Sequence, residues 1–110
     1  MKFRADISVC EDDEDKVLSV SQCDAEGYVQ DQIIIQRGPK EFDALDDAPG
    51  PRISCEALGL DLAPGPEEIT FSGDLMTIVL SDGENIEVDI SGLERDEKSE
   101  LRAVAKKLFE

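Results

Sequence analysis

Carboxylates dominate the side chains that could do chemistry in this chain. Asp and Glu number 27 against 11 Lys plus Arg, and there is no His among the 110 residues. Two acidic groups stand out. Glu11, Asp12, Asp13, Glu14 and Asp15 are consecutive, and Asp43, Asp46 and Asp47 fall close together in a later stretch. A calcium loop of the helix-loop-helix type needs oxygen ligands at spaced positions, with Gly at the sixth and Glu at the twelfth. Consecutive acids followed by Lys16 and Val17 do not meet that pattern. Without His, neither a Ser-His-Asp nor a Cys-His arrangement can form within one chain. Carboxylate pairs doing acid/base work need a concave pocket, which the sequence does not mark. The expectation is a protein that is not an enzyme and carries no cofactor and no metal.

Cys10, Cys23 and Cys55 are odd in number and widely spaced, with no Cys-x-x-Cys. Neither a disulfide framework nor a structural zinc site fits them. They read as small apolar residues kept reduced, which points to the cytoplasm. Charges inside MKFRADISV break any signal-peptide core, and no run reaches the roughly 18 apolar residues of a membrane span. A formal charge of -16 repels nucleic acid and anionic membrane and attracts basic protein surfaces or cations. The expected partner is therefore a protein, with no nucleic acid and no membrane.

The elements that must position these acids follow from hydrophobic periodicity. Lys2 to Val9 alternates, with Phe3, Ala5, Ile7 and Val9 on one face of a half-buried strand. Val17 to Gln22 is a second strand, which makes Glu11 to Asp15 an exposed hairpin tip. Asp24-Ala25-Glu26-Gly27 turns the chain into Tyr28 to Arg37, the most apolar and β-branched run. Three consecutive isoleucines, Ile33 to Ile35, cannot share one side of a strand, because side chains alternate. This run is predicted as a central strand in an antiparallel meander of three, with Ile34 covered on the face opposite Ile33 and Ile35.

Gly38 to Gly50 has no regular pattern and reads as a long loop bearing Asp43, Asp46 and Asp47, pinned by Phe42 and Leu45. Arg52 to Leu58 resumes β character, with Ile53, Cys55 and Ala57 inward. Gly59 to Pro66 carries Leu60 and Leu62 before an Ala63-Pro64-Gly65-Pro66 break. Glu68 to Ser72 and Leu75 to Leu80 form a hairpin across Gly73-Asp74, and Asp82-Gly83 leads into a half-exposed strand with Ile86, Val88 and Ile90. Asp96 can cap a helix whose apolar stripe is Leu101, Val104, Ala105 and Leu108. The prediction is one α+β domain over residues 1–110: an antiparallel sheet of about seven strands with one C-terminal helix packed on a face.

Several of these stretches, in the same order, resemble the Imm10 family (immunity protein 10) of bacterial polymorphic-toxin systems. They are Gln32 to Arg37 (QIIIQR), Arg52 to Glu56 (RISCE), Ile69 to Leu80 (ITFSGDLMTIVL) and Leu101 to Phe109 (LRAVAKKLF). The resemblance implies a protein that binds and neutralises a cognate toxin. A strongly negative surface suits a basic nuclease, because charge steering speeds capture. The partner-binding residues expected are Glu11, Asp12, Asp13, Glu14, Asp15, Asp43, Asp46 and Asp47. Two alternatives come from other classes. One is a structural or oligomeric module, a homodimer included, and the other is a cation- or small-ligand-binding domain.

Overall fold

Residues 2–38 and 50–109 are described by a computed structural model of the chain. The class is α+β, as the periodicities require, but the strands divide into two sheets. Nine strands lie among the described residues: β1 (Lys2–Arg4), β2 (Ile7–Asp12), β3 (Lys16–Cys23), β4 (Val29–Arg37), β5 (Arg52–Cys55), β6 (Leu60–Pro64), β7 (Pro66–Ser72), β8 (Leu75–Leu80) and β9 (Asn85–Asp89). The helix α1 (Arg95–Leu108) follows them. One sheet has the order β1-β9-β8-β7, and the other β2-β3-β4-β5-β6. All pairings are antiparallel except β1 with β9, which is parallel. The single sheet of about seven strands is thus corrected to two sheets of four and five.

Two short corners carry the chain from sheet to sheet, and hydrophobic alternation alone marks neither of them. At the first, the Ala5 N–H donates to the Asp89 carbonyl of β9 (2.9 Å), whereas the next N–H, of Asp6, donates to the Ser21 carbonyl of β3 (2.8 Å). The Asp6 carboxylate fixes this bend by accepting from Arg4 Nε at 3.0 Å and from the Cys23 N–H at 2.8 Å. The bend also shifts the alternation. Phe3 and Ala5 are buried, but Ile7 and Val9 point outward at 42% and 58% exposure. The inward positions after it are Ser8 and Cys10, opposite Val20 and Leu18. Lys2 to Val9 is therefore not one strand with one apolar face.

The second corner is Gly65, whose φ of +145° suits glycine, and its carbonyl accepts from the Ser81 N–H at 2.7 Å. The stretch expected to be a break before a single strand is instead β6 bending into β7. Strands that switch sheets at such bends are how two sheets share one core at their corners. Ala57 also departs from expectation: it is exposed in a 3-10 turn, Glu56–Leu58, after β5 ends at Cys55.

The core face of the five-stranded sheet follows from the register. Leu18, Ile35 and Ile53 form one row, and Val20, Ile33 and Cys55 the next. Met76, Ile78, Ile86 and Val88 cover the inner face of the other sheet, and Leu101, Val104, Ala105 and Leu108 supply the helix stripe. All belong to one hydrophobic cluster. Here β4 is the central strand of its sheet, as its three isoleucines suggested. Ile33 and Ile35 are fully buried, but Ile34 is only half-buried on the outer face, between Ser19 and Ser54. The cover expected over Ile34 is not supplied by any described strand or helix.

The helix packs chiefly on β2 and β3 of the five-stranded sheet, and its outer turns also reach the other sheet. Glu97 accepts the Ser8 N–H of β2 at 3.2 Å, Lys98 pairs with Asp74 at 3.0 Å, and the Arg102 guanidinium sits 5.6 Å from the Phe71 ring centre. Its N-cap is Glu94, not Asp96, which lies in the first turn. Glu94 and Glu97 form a reciprocal capping box that satisfies two backbone donors at the helix start.

Candidate functional site

The tip between β2 and β3 is built by their pairing, which ends at Asp12 opposite Lys16. All five residues from Glu11 to Asp15 are exposed, as expected for a run too polar to pack. The tip is nevertheless not a uniform patch of free carboxylates. Asp12 bonds Lys16 at 2.9 Å, and Lys107 from the last turn of α1 reaches its other oxygen. Lys107 first and Lys16 second hold the Asp12 carboxyl below the usual carboxylate range. Lys16 also donates to the Asp13 carbonyl, and the Asp13 N–H donates to the Asp15 carbonyl at 3.3 Å, which closes the turn. Among the described residues, Glu14 and Asp15 form no salt bridge.

Asp43, Asp46 and Asp47, with Phe42 and Leu45, lie outside the described residues. The points from which that stretch leaves and to which it returns are nevertheless fixed. Arg37, at the end of β4, is in register with Lys16, and Gln36 is in register with Arg52 at the start of β5. A Cβ placed on Gly38 would stand 3.6 Å from the Asp15 Oδ1. Both anchors of the 39–49 stretch therefore sit at the end of the sheet that carries the acidic tip. The C-terminal turn of α1 reaches the same end, through Lys107 to Asp12 and through Arg37 Nη1, which donates to the Leu108 carbonyl at 3.2 Å.

No protein-family model and no curated protein matches the chain. Among the described residues, no group of three or more His, Cys, Asp or Glu is placed to hold a metal ion. No helix among them is long and apolar enough to cross a membrane. The three cysteines are free. Burial first, then the charge of Glu100, pushes the Cys10 thiol up to about 11, and burial raises that of Cys55 as well. Thiols held protonated in this way are poor nucleophiles.

Sequence reasoning missed two features of this surface. Lys16 and Lys107 engage Asp12, although only the i, i+4 spacing of Asp12 and Lys16 was visible beforehand. The second feature is the outward pair Ile7 and Val9. Alternation assigned both to the core, and only the bend at Asp6 turns them out.

Proposed function

We propose that this chain is an immunity protein that binds and neutralises a cognate bacterial toxin in the cytoplasm, without catalysis, through the acidic end of its five-stranded sheet. The observation that supports this reading is the convergence at that end. The exposed tip Glu11 to Asp15 stands beside both anchors of the stretch that carries Asp43, Asp46 and Asp47. The exposed tip carries five successive carboxylates, and a basic nuclease domain is the toxin class whose charge it complements. Its carboxylates would meet the groups with which a nuclease holds phosphates. Electrostatic steering brings association toward about 10⁸–10⁹ M⁻¹s⁻¹ at low salt, fast enough to capture a toxin before it acts.

The sheet and helix are the rigid support in this reading, and the side chains that make contact are exposed carboxylates rather than core isoleucines. Glu14 and Asp15 would contribute more than Asp12, whose charge Lys16 and Lys107 already offset. The test is binding to the toxin domain encoded next to this gene, measured by stopped flow across a salt series. Capture should slow steeply as salt rises, and the triple variant Asp13→Lys, Glu14→Lys, Asp15→Lys should slow it at least about tenfold at low salt. Unchanged capture by a folded triple variant would remove the assignment of this surface. A neighbouring gene with no secreted toxin architecture would count against the toxin reading itself.

A further inference from the structure

The outer face of the five-stranded sheet is unlike the rest of this surface. Register places three rows on β2 to β5 of it, two spanning all four strands and one stopping at β4. The middle row is Val9, Ser19, Ile34, Ser54. The row beside the acidic tip is Glu11, Val17, Gln36, Arg52, and the far row is Ile7, Ser21, Gln32. Of these eleven residues only Glu11 and Arg52 are charged, and their signs are opposite. With 35% of the chain charged, about four charges would be expected among eleven surface positions. A chain of net charge -16 thus keeps the outer rows of these four strands nearly neutral and leaves Ile7 and Val9 exposed on them, while Asp31, Glu56 and Asp61 line the hollow beside Gln32, Ile34 and Ser54. The outer face of the other sheet contrasts with these rows, presenting Lys2, Arg4, Glu68, Glu87 and Asp89.

From this pattern we infer that the face is the contact surface of a two-fold homodimer, in which a second copy of the chain packs sheet against sheet. A two-fold axis in the interface plane, parallel to the strands and between β3 and β4, reverses onto themselves the two rows that span all four strands. The middle row runs large, small, large, small. Reversed, it runs small, large, small, large. Ile34 of each copy then lies over Ser19 of the other, and Val9 over Ser54, so that protruding side chains meet recessed ones. Ser19 and Ser21 are floors of this kind, only 7% and 6% exposed beneath their larger neighbours. Gln32 Nε2 already donates to the Ser19 hydroxyl at 2.9 Å, so the floor is satisfied before a partner arrives.

The charged row obeys the same operation. Glu11 and Arg52 stand at opposite margins, so the axis sets Glu11 of each copy against Arg52 of the other, twice per dimer. A guanidinium has five donors, so Arg52 can take this contact in addition to those it makes within its own chain. Within these rows no like charges meet.

The size of the face sets the strength. Four strands about 4.8 Å apart and about five residues deep span roughly 300–400 Å² per copy, under half of the about 800 Å² that each partner buries in a standard stable interface. The dimer is therefore weak, with a dissociation constant of roughly tens of micromolar or above. Its salt dependence opposes that of toxin capture: screening the repulsion between two acidic bodies favours the dimer. The inference does not depend on the proposed function, and the two fail in different measurements.

Sedimentation velocity over about 10 µM to 1 mM protein, at about 0.1 M and 1 M salt, tests it directly. The expected result is a monomer–dimer equilibrium with the dimer gaining at high salt. Val9→Lys alters an exposed side chain, and it should weaken association at least about tenfold while far-ultraviolet circular dichroism stays unchanged. Glu11→Lys should weaken it as well, and adding Arg52→Glu to that variant should restore part of the loss. A monomer at every concentration in high salt would overturn the proposal. So would a dimer indifferent to Val9→Lys, or a Val9→Lys variant that slows toxin capture without changing oligomeric state. The last outcome would assign the face to the toxin.

Discussion

Truncating Ile34 and Ile35 separately tests the two-faced reading of the central strand. Both are isoleucines on β4 and adjacent in sequence, yet they face opposite sides of the sheet. Ile35 is 0% exposed between Leu18 and Ile53. Ile35→Ala removes three carbons from the core, about 0.8 kcal/mol each in transfer free energy. The cavity left behind brings the total to roughly 3–4 kcal/mol. Ile34 is half-buried between Ser19 and Ser54 on an open face, so Ile34→Ala should cost about 1 kcal/mol, with no closed cavity to add. A chain of this length has about 5–15 kcal/mol in total, so both variants should remain folded in water.

The contrast widens with Asp. Ile35→Asp leaves an uncompensated carboxylate in the core, costing several kcal/mol more, and should not fold. Ile34→Asp keeps its carboxylate at the solvent and should fold. The assay is urea unfolding followed by far-ultraviolet circular dichroism, because the chain has no Trp and its single Tyr, Tyr28, is 73% exposed. With a slope of about 1.5 kcal/mol per molar urea, the Ile35→Ala midpoint should fall by about 2 M and the Ile34→Ala midpoint by less than 1 M. Protein should be kept dilute, so that monomer stability alone is read. Equal losses at the two positions would mean that the outer face is covered within the monomer, and the reasoning about both strand and dimer face would fail.

Three further outcomes follow from the side-chain geometry. Asp6, held down chiefly by Arg4, Asp12, held down chiefly by Lys107, and Asp89, held down chiefly by Ser91, all have folded pKa values below their unfolded ones. Their stabilisation is present above the unfolded value of about 3.9 and is lost as pH falls through the lowered folded values. A melting-temperature series should therefore drop below about pH 4, and Asp6→Asn should flatten that drop. Glu97→Ala removes one arm of the capping box and the acceptor for the Ser8 N–H, and should cost about 1–2 kcal/mol in the same urea assay. Iodoacetamide at about pH 8 should label Cys10 and Cys55 slowly in the folded protein and fully in denaturant, read residue by residue by mass spectrometry.

The sequence by itself determined the kind of elements present and most of their inner faces. Alternation over Leu18 and Val20, and over Ile86 and Val88, needs only the geometry of a pleated strand. The spacing of Leu101, Val104, Ala105 and Leu108 needs only that of a helix. It also determined that the run Glu11 to Asp15 would be exposed, because five successive carboxylates cannot be buried. Tertiary structure decided what local pattern cannot encode. A bend of one or two residues, held by an Asp6 carboxylate that reaches Arg4 and Cys23 across the chain, moves β1 and β2 into different sheets and turns Ile7 and Val9 outward. Alternation is blind to such a bend, because a one-residue change of phase inverts which side chains are inside. The ion pairs of Asp12 and the convergence of both chain anchors at the acidic end depend on contacts between distant residues, Lys107 lying 95 positions from Asp12. The near-neutrality of the outer rows on β2 to β5 is of the same kind. Their eleven residues are scattered over four strands, and only their register assembles them into one surface.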